Sequence, residues 1–314
     1  MDYLQLIIGF ALLVAGGEAL VRGAVSVATR FGVSPLLIGL TLVGFGTSAP
    51  ELVTSIQAAL GGFPGIAVGN VVGSNIANIL LIVGVAAVIM PMTVDAQAFR
   101  RDGAALAIAT VLAVAVILFG TLDRWMGGVL VIALLTYIWI AYRTDTIAVA
   151  SSALSDVPDV PPVSGSVWVA LGLAVGGIIV TILGARLTVE AAVTLALLWG
   201  MSETVVGLTV VAVGTSLPEL VTSVMAALRR ESGIAFGNVI GSNIYNILGI
   251  LGVTALVQPI PIPPQIAQLD VWVMTAATVL LIVIVVAWRR IGRGVGLAFL
   301  GAYAAYTAWL VAGV

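Results

Sequence analysis

The chain has no cysteine and no histidine among its 314 residues. Without thiols, disulfides and thiolate metal sites are excluded. Without imidazoles, zinc sites of the usual kind and histidine proton relays are excluded as well. Lysine is also missing, so all 12 basic residues are arginine. Charge of either sign is scarce, at 8% of residues against about 25% in an average soluble domain. The net charge of −2 says little about partners, and no nucleic-acid partner is expected.

What is present is apolar. Hydrophobic residues make up 61% of the chain and the mean hydropathy is +1.23, which defines an integral membrane protein. A spanning helix needs about 20 mostly apolar residues. The chain reads as ten of them, roughly 3–28, 34–60, 65–90, 103–120, 125–142, 167–197, 203–228, 233–258, 270–288 and 293–312. Tryptophans mark several ends: Trp125 and Trp139, Trp168 and Trp199, Trp272 and Trp288. Such aromatic belts sit at the membrane–water interface. Met1-Asp2 carries no basic n-region, so the start predicts a transmembrane helix rather than a cleaved signal.

Arginines predict the orientation. Outside the embedded Arg22 and Arg186, alternate loops hold Arg30, Arg100, Arg101, Arg143, Arg229, Arg230, Arg289, Arg290 and Arg293, and only Arg124 falls in the other set. The positive-inside rule then puts both termini outside. The longest loop, 143–166, contains a Pro-Pro pair and reads as a flexible cytoplasmic linker. It separates a first five-helix repeat, 1–142, from a second, 167–314. With an odd number of spans per half, equivalent helices run in opposite directions. The expectation is an all-α membrane protein of ten transmembrane helices in two inverted-topology repeats, an architecture typical of secondary transporters.

The halves are visibly copied. Gly39–Gly84 and Gly207–Gly252 align without a gap at an offset of 168, and from Ile38 to Val85 32 of 48 positions match. Each copy places one glutamate, Glu51 or Glu219, in an apolar segment. A charge at the bilayer centre costs at least about 2.5 kcal/mol, so it is a functional-site hypothesis by default.

Around each glutamate the sequence predicts a broken helix. In Gly46-Thr47-Ser48-Ala49-Pro50-Glu51, glycine loosens the backbone and proline removes a donor. Such breaks are tolerated in a membrane only where they are buried in protein or line a cavity. Thr47, Ser48 and Glu51 present oxygens there, and Thr215, Ser216 and Glu219 repeat them. A plainer reading is a capping box, Ser48-x-x-Glu51 and Ser216-x-x-Glu219, which only satisfies a helix start. A second motif runs from Gly69 to Asn78 and again from Gly237 to Asn246. Its Gly-x-x-x-Gly spacing suits close helix packing. Ser74 and Asn78 share one helix face, as do Ser242 and Asn246. Carboxylates beside hydroxyl and amide oxygens suit a hard cation such as calcium or sodium. Two ionised glutamates match one calcium in charge, and a site that is costly to leave empty suits exchange.

The motifs GTSAPELVTS, GTSLPELVTS, GNVVGSNIANIL and GNVIGSNIYNILG resemble the alpha repeats of the sodium/calcium exchanger superfamily. The resemblance covers the whole chain and is nearest to compact prokaryotic members. It implies calcium extrusion driven by inward sodium movement through alternating access, in the cell inner (plasma) membrane, with no cofactor besides the transported ions. Carried over by motif position, Glu51 and Glu219 would bind calcium and sodium. Thr47 and Thr215 would add oxygens, and Ser48, Ser216, Ser74 and Ser242 would line sodium sites. Asn78 and Asn246 would complete the centre, and the carbonyls of Gly44 and Ala212 would assist. Some relatives have aspartate at the Asn246 position, so asparagine in both copies weakens the case for potassium co-transport. A calcium/proton antiporter and a cation channel are the alternatives.

Upstream, Glu18 aligns with Arg186 and Arg22 with Glu190, so the charges are swapped between halves. Two arrangements are open: local i,i+4 pairs, or cross-pairing of Glu18 with Arg186 and Arg22 with Glu190.

Overall fold

The computed structural model describes residues 2–94, 96–151, 166–199 and 212–312. They are almost wholly helical. The helices run α1 (Asp2–Phe31), α2 (Pro35–Thr47), α3 (Ala49–Leu60), α4 (Pro64–Ile89), α5 (Ala96–Leu118), α6 (Arg124–Ser151), α7 (Val167–Leu198), α8 (Ala212–Thr215), α9 (Leu217–Leu228), α10 (Ser232–Val257), α11 (Ile266–Trp288) and α12 (Arg293–Ala312). Among the described residues, seven helices are long and apolar enough to cross a membrane, or eight if the bent pair α2 and α3 is one span. The protein is therefore a multi-pass membrane protein.

Two boundaries differ from expectation or escape it. Helix α6 continues to Ser151, past the expected end at 142, because no glycine or proline interrupts the sequence between Arg143 and Ser151. The rest of the expected linker, 152–165, lies outside the described residues. So do 200–211, which include the start of the seventh expected span.

Local chemistry explains the helix starts. Ser34 caps α2 by accepting a hydrogen bond from the Leu37 amide at 3.1 Å, and Pro35 follows in the first turn. Pro50 and Pro218 stand in the first turns of α3 and α9, where a missing N–H costs nothing. π-helical turns interrupt α2 at Gly39–Val43, α4 at Asn78–Val83 and α10 at Tyr245–Leu251.

Long-range packing interleaves the halves. Helices α1 and α7 lie antiparallel along most of their length, with Gly9 against Thr188, Gly16 against Thr181 and Gly184 against Leu13. A Cβ at Gly16 would stand 2.5 Å from the Thr181 amide nitrogen, so only glycine permits this approach. Two short ribbons also join the halves. Strands β1 (Met92–Thr93), β2 (Thr121–Leu122), β3 (Ile260–Pro261) and β4 (Arg290–Ile291) pair as β1 with β4 and β2 with β3, both antiparallel. Helices α4 and α10 are the most deeply buried spans, and they flank the helix breaks.

Candidate cation site

The two breaks occur where the Gly-Thr-Ser-x-Pro-Glu motif places them. Ser48 leaves helical geometry at φ −85°, ψ 6°, and Ser216 does so at φ −91°, ψ 9°. Helices α2 and α3 meet there at 43°. Neither serine side chain caps the helix that follows it. The capping-box reading is thus not realised. Instead each serine crosses to the other half. Ser48 Oγ donates to Glu219 Oε1 at 2.9 Å, and Ser216 Oγ lies 3.5 Å from Glu51 Oε1. Ser216 Oγ also lies 3.4 Å from Ser74 Oγ.

Glu51 and Glu219 are each only 1% exposed. Their second oxygens, Oε2 in both, have no hydrogen-bond partner among the described residues. Nor do Asn78 Oδ1 and Asn246 Oδ1, both buried. Leaving several buried oxygens unpaired is costly unless something else satisfies them. No arginine pairs with either glutamate among the described ion pairs. Among the described residues no group of three or more His, Cys, Asp or Glu forms, so any cation here relies on two carboxylates plus neutral oxygens.

The other predicted residues divide into those that join this cluster and those that stand beside it. The Gly44 carbonyl accepts from the Ser48 amide at 3.2 Å and faces Ser242 Oγ at 3.4 Å. Thr47 is fully buried, and its hydroxyl lies 3.0 Å from the Val43 carbonyl. Asn78 opens one π-helical turn and Asn246 lies in another, yet neither side chain bonds to a glutamate. Thr215 ends α8 and is half-buried, and Ala212 begins that helix.

Two asparagines that sequence reasoning left without a role prove to be structural partners of the glutamates. Asn70 Nδ2 donates to the Glu51 carbonyl at 3.1 Å and to Ser55 Oγ at 3.0 Å. Asn238 Nδ2 donates to the Glu219 carbonyl at 3.1 Å and to Ser223 Oγ at 2.9 Å. The available signal was their equal spacing, 19 residues after each glutamate. A second aligned pair of acids, Asp102 and Asp270, accepts from tyrosines instead: Tyr137 at 3.2 Å and Tyr306 at 2.9 Å.

The swapped charges of α1 and α7 form the local pairs. Arg22 bonds Glu18 at 2.6 Å and Arg186 bonds Glu190 at 2.8 Å. Cross-pairing is absent among the described contacts, because each i,i+4 partner is already within reach on its own helix. Glu18 has an additional partner, Arg229 at the end of α9.

A buried, two-carboxylate, oxygen-rich centre at paired helix breaks in a multi-pass bundle is the kind of centre that cation-handling membrane transporters use. The family model described as sodium/calcium exchanger protein matches residues 1–143 and 169–312. The chain belongs to the sodium/calcium exchanger family, in its compact form. It is 34% identical over 343 residues to the sodium/calcium exchanger MaX1 of Methanosarcina acetivorans, covering 98% of this chain and 97% of that one. It is 36% identical over 312 residues to the inner membrane protein YrbG of Escherichia coli, covering 97% and 95%. A solved structure of the sodium-calcium exchanger NCX_Mj superposes with a TM-score of 0.85 at 34% identity, covering 98% of each chain.

Proposed function

We propose that this protein exchanges sodium for calcium by alternating access, with the ions bound between two inverted five-helix repeats. The observation that carries this reading is the crossing of the breaks. Each buried glutamate has one oxygen directed at a serine of the opposite half and one oxygen unpaired. The site thus belongs to neither half alone, so moving one half against the other changes access to it. The two ribbons support the inverted arrangement, since each pairs an early turn of one half with a late turn of the other. The repeats span 1–142 and 167–314, with 143–166 as the cytoplasmic connection and both termini outside.

In this reading Glu51 and Glu219 hold calcium, and their two charges match it. Sodium competes for the same carboxylates together with Ser48, Ser216, Ser74, Ser242, Thr47, Thr215 and the carbonyls of Gly44 and Ala212. Asn78 and Asn246 contribute neutral amide oxygens. Because calcium or sodium neutralises carboxylates that are otherwise buried without counter-charge, the loaded forms are favoured over the empty one. That preference couples the two fluxes.

Calcium uptake into sodium-loaded vesicles tests the proposal. Uptake should require an outward sodium gradient, should not follow an imposed proton gradient, and should be lost in Glu51→Ala and in Glu219→Ala. Uptake without any counter-ion gradient would point to a channel, and full activity in either variant would remove the glutamates from the site.

A further inference from the structure

Thr47 and Glu219 lie in different halves, and one residue touches both. Asn238 is fully buried on α10. Its amide nitrogen donates to the Glu219 carbonyl at 3.1 Å and to Ser223 Oγ at 2.9 Å. Those two bonds fix its orientation, because only the NH₂ end can donate. The oxygen end is therefore the one that faces Thr47 Oγ1, at 3.2 Å.

A hydroxyl that coordinates a cation must turn its proton away from that cation. Besides the Glu219 carboxylate, which the Thr47 hydroxyl also reaches, two acceptors can take this proton: the Val43 carbonyl at 3.0 Å and Asn238 Oδ1 at 3.2 Å. The Val43 bond is the local one that any helical threonine can make to the residue four before it. Asn238 Oδ1 is a neutral acceptor that comes from the opposite half and leaves the Glu219 carboxylate free for the ion. By the same amide it holds the turn of backbone from which Glu219 projects.

We propose that Asn238 is a positioning residue for the cation site. It acts by orienting the Thr47 hydroxyl and holding the Glu219 turn, without touching the ion. The inference rests on the reading of this centre as the ion site. Partners in the outer shell of a metal site orient its ligands, and their loss typically weakens binding about 10- to 100-fold.

The test is a double-mutant cycle between Asn238→Ala and Thr47→Val, read as half-saturating calcium and maximal rate of sodium-driven uptake. Asn238→Ala alone should raise half-saturation about 10-fold. In the Thr47→Val background the same change should add less, because the hydroxyl it orients is gone and only its hold on the Glu219 turn is left to lose. An equal shift in both backgrounds, or no shift in Asn238→Ala, overturns the proposal. If Asn238→Ala does not yield folded protein, Asn238→Ser fills the site better and carries the same cycle. Equilibrium calcium binding to purified protein separates the two levels of inference. Absent sodium-driven uptake in the unmodified protein would sink exchange. Equal calcium binding by the unmodified protein and Asn238→Ala would sink the positioning role by itself.

Discussion

Gly17 of α1 lies against α9, where a Cβ would stand 3.0 Å from Val221 Cγ1 and 3.1 Å from Met225 Cγ. The aligned residues of the other half are Val53 and Gln57 on α3, and Val53 is 53% exposed. Helix α1 thus covers α9, whereas α7 makes no comparable packing on α3 among the described residues. The site hydrogen bonds are uneven in the same sense, 2.9 Å from Ser48 to Glu219 against 3.5 Å from Ser216 to Glu51. Copied motifs therefore do not impose copied packing. The difference is written in the flanks: Glu18 meets Arg229, while their aligned residues are Arg186 and Gly61. In the proposed alternating-access cycle such inequality is what any one state requires, with one side covered and the other open.

The seam between α1 and α7 is where the halves should behave alike, and it carries the largest expected effect. Gly16 and Gly184 are aligned residues, and a Cβ on either meets backbone of the other helix, Thr181 N at 2.5 Å and Leu13 N at 2.6 Å. Backbone cannot yield as a side chain can. Gly16→Val and Gly184→Val should each destabilise by about 3 kcal/mol or more, read as a fall in the melting temperature of purified protein. A large difference between the two would mean that this seam is as unequal as the flanks.

Next comes the pair of site serines. Ser48→Ala removes a 2.9 Å bond to a buried carboxylate. A hydrogen bond to a charged group is worth about 1.5–3 kcal/mol. Half-saturating calcium should shift by roughly ten-fold or more for that variant. The 3.5 Å contact of Ser216 is at the edge of bonding distance, so Ser216→Ala should shift it less. Equal shifts would show that the inequality of the two bonds has no weight in binding.

Much of this site was legible from residues alone. Polar atoms inside apolar spans must have a reason, and duplication showed which ones did: Glu51 and Glu219, their serines and the helix breaks all fall where the motifs put them. What was not legible depends on which surfaces meet. The Ser48-x-x-Glu51 spacing fits a cap equally well, and only folding shows that Ser48 turns to Glu219 instead. Glu18 and Arg22 fit local or cross-helix pairing alike, and nothing in α1 announces Arg229, 211 positions away from Glu18. The two-residue ribbons have no periodicity to read, and Asn238 looked like part of a packing motif.

The Glu18–Arg229 contact offers a gentler way to shift the comparison. Arg229→Gln removes the ion pair between α1 and the end of α9. Exposed pairs are worth about 0.2–1 kcal/mol, so up to roughly a five-fold change in opening is expected. Because the chain has no native cysteine, single reporters at Met225→Cys and Val53→Cys can be labelled cleanly. Met225→Cys should label about two- to five-fold faster in the Arg229→Gln background. Val53→Cys should label readily in both. Unchanged labelling of Met225→Cys would mean that packing around Gly17, and not the ion pair, keeps α9 covered.

The smallest effect concerns the turns. Gly120 precedes β2 with φ +82°, and Arg289 precedes β4 with φ +51°, so arginine occupies a left-handed position that glycine holds in the other half. The same exchange occurs at Gly62 and Arg230, with φ +77° and +61°. A side chain in this region costs about 1–2 kcal/mol. In the proposed orientation the arginines face the cytoplasm, where positive charge fixes topology, so that signal is kept against a local backbone cost. Arg289→Gly should relieve the strain while loosening the unfolded chain, for a net gain of about 0.5 kcal/mol in thermal stability. The amide of Val94 still reaches the carbonyl of residue 289, at 3.0 Å, because that bond needs no side chain. The reciprocal Gly120→Arg should lose about 1 kcal/mol or more. It should also weaken the charge difference between the two sets of loops. If Arg289→Gly proves less stable, the arginine side chain contributes more to the folded state than its backbone costs.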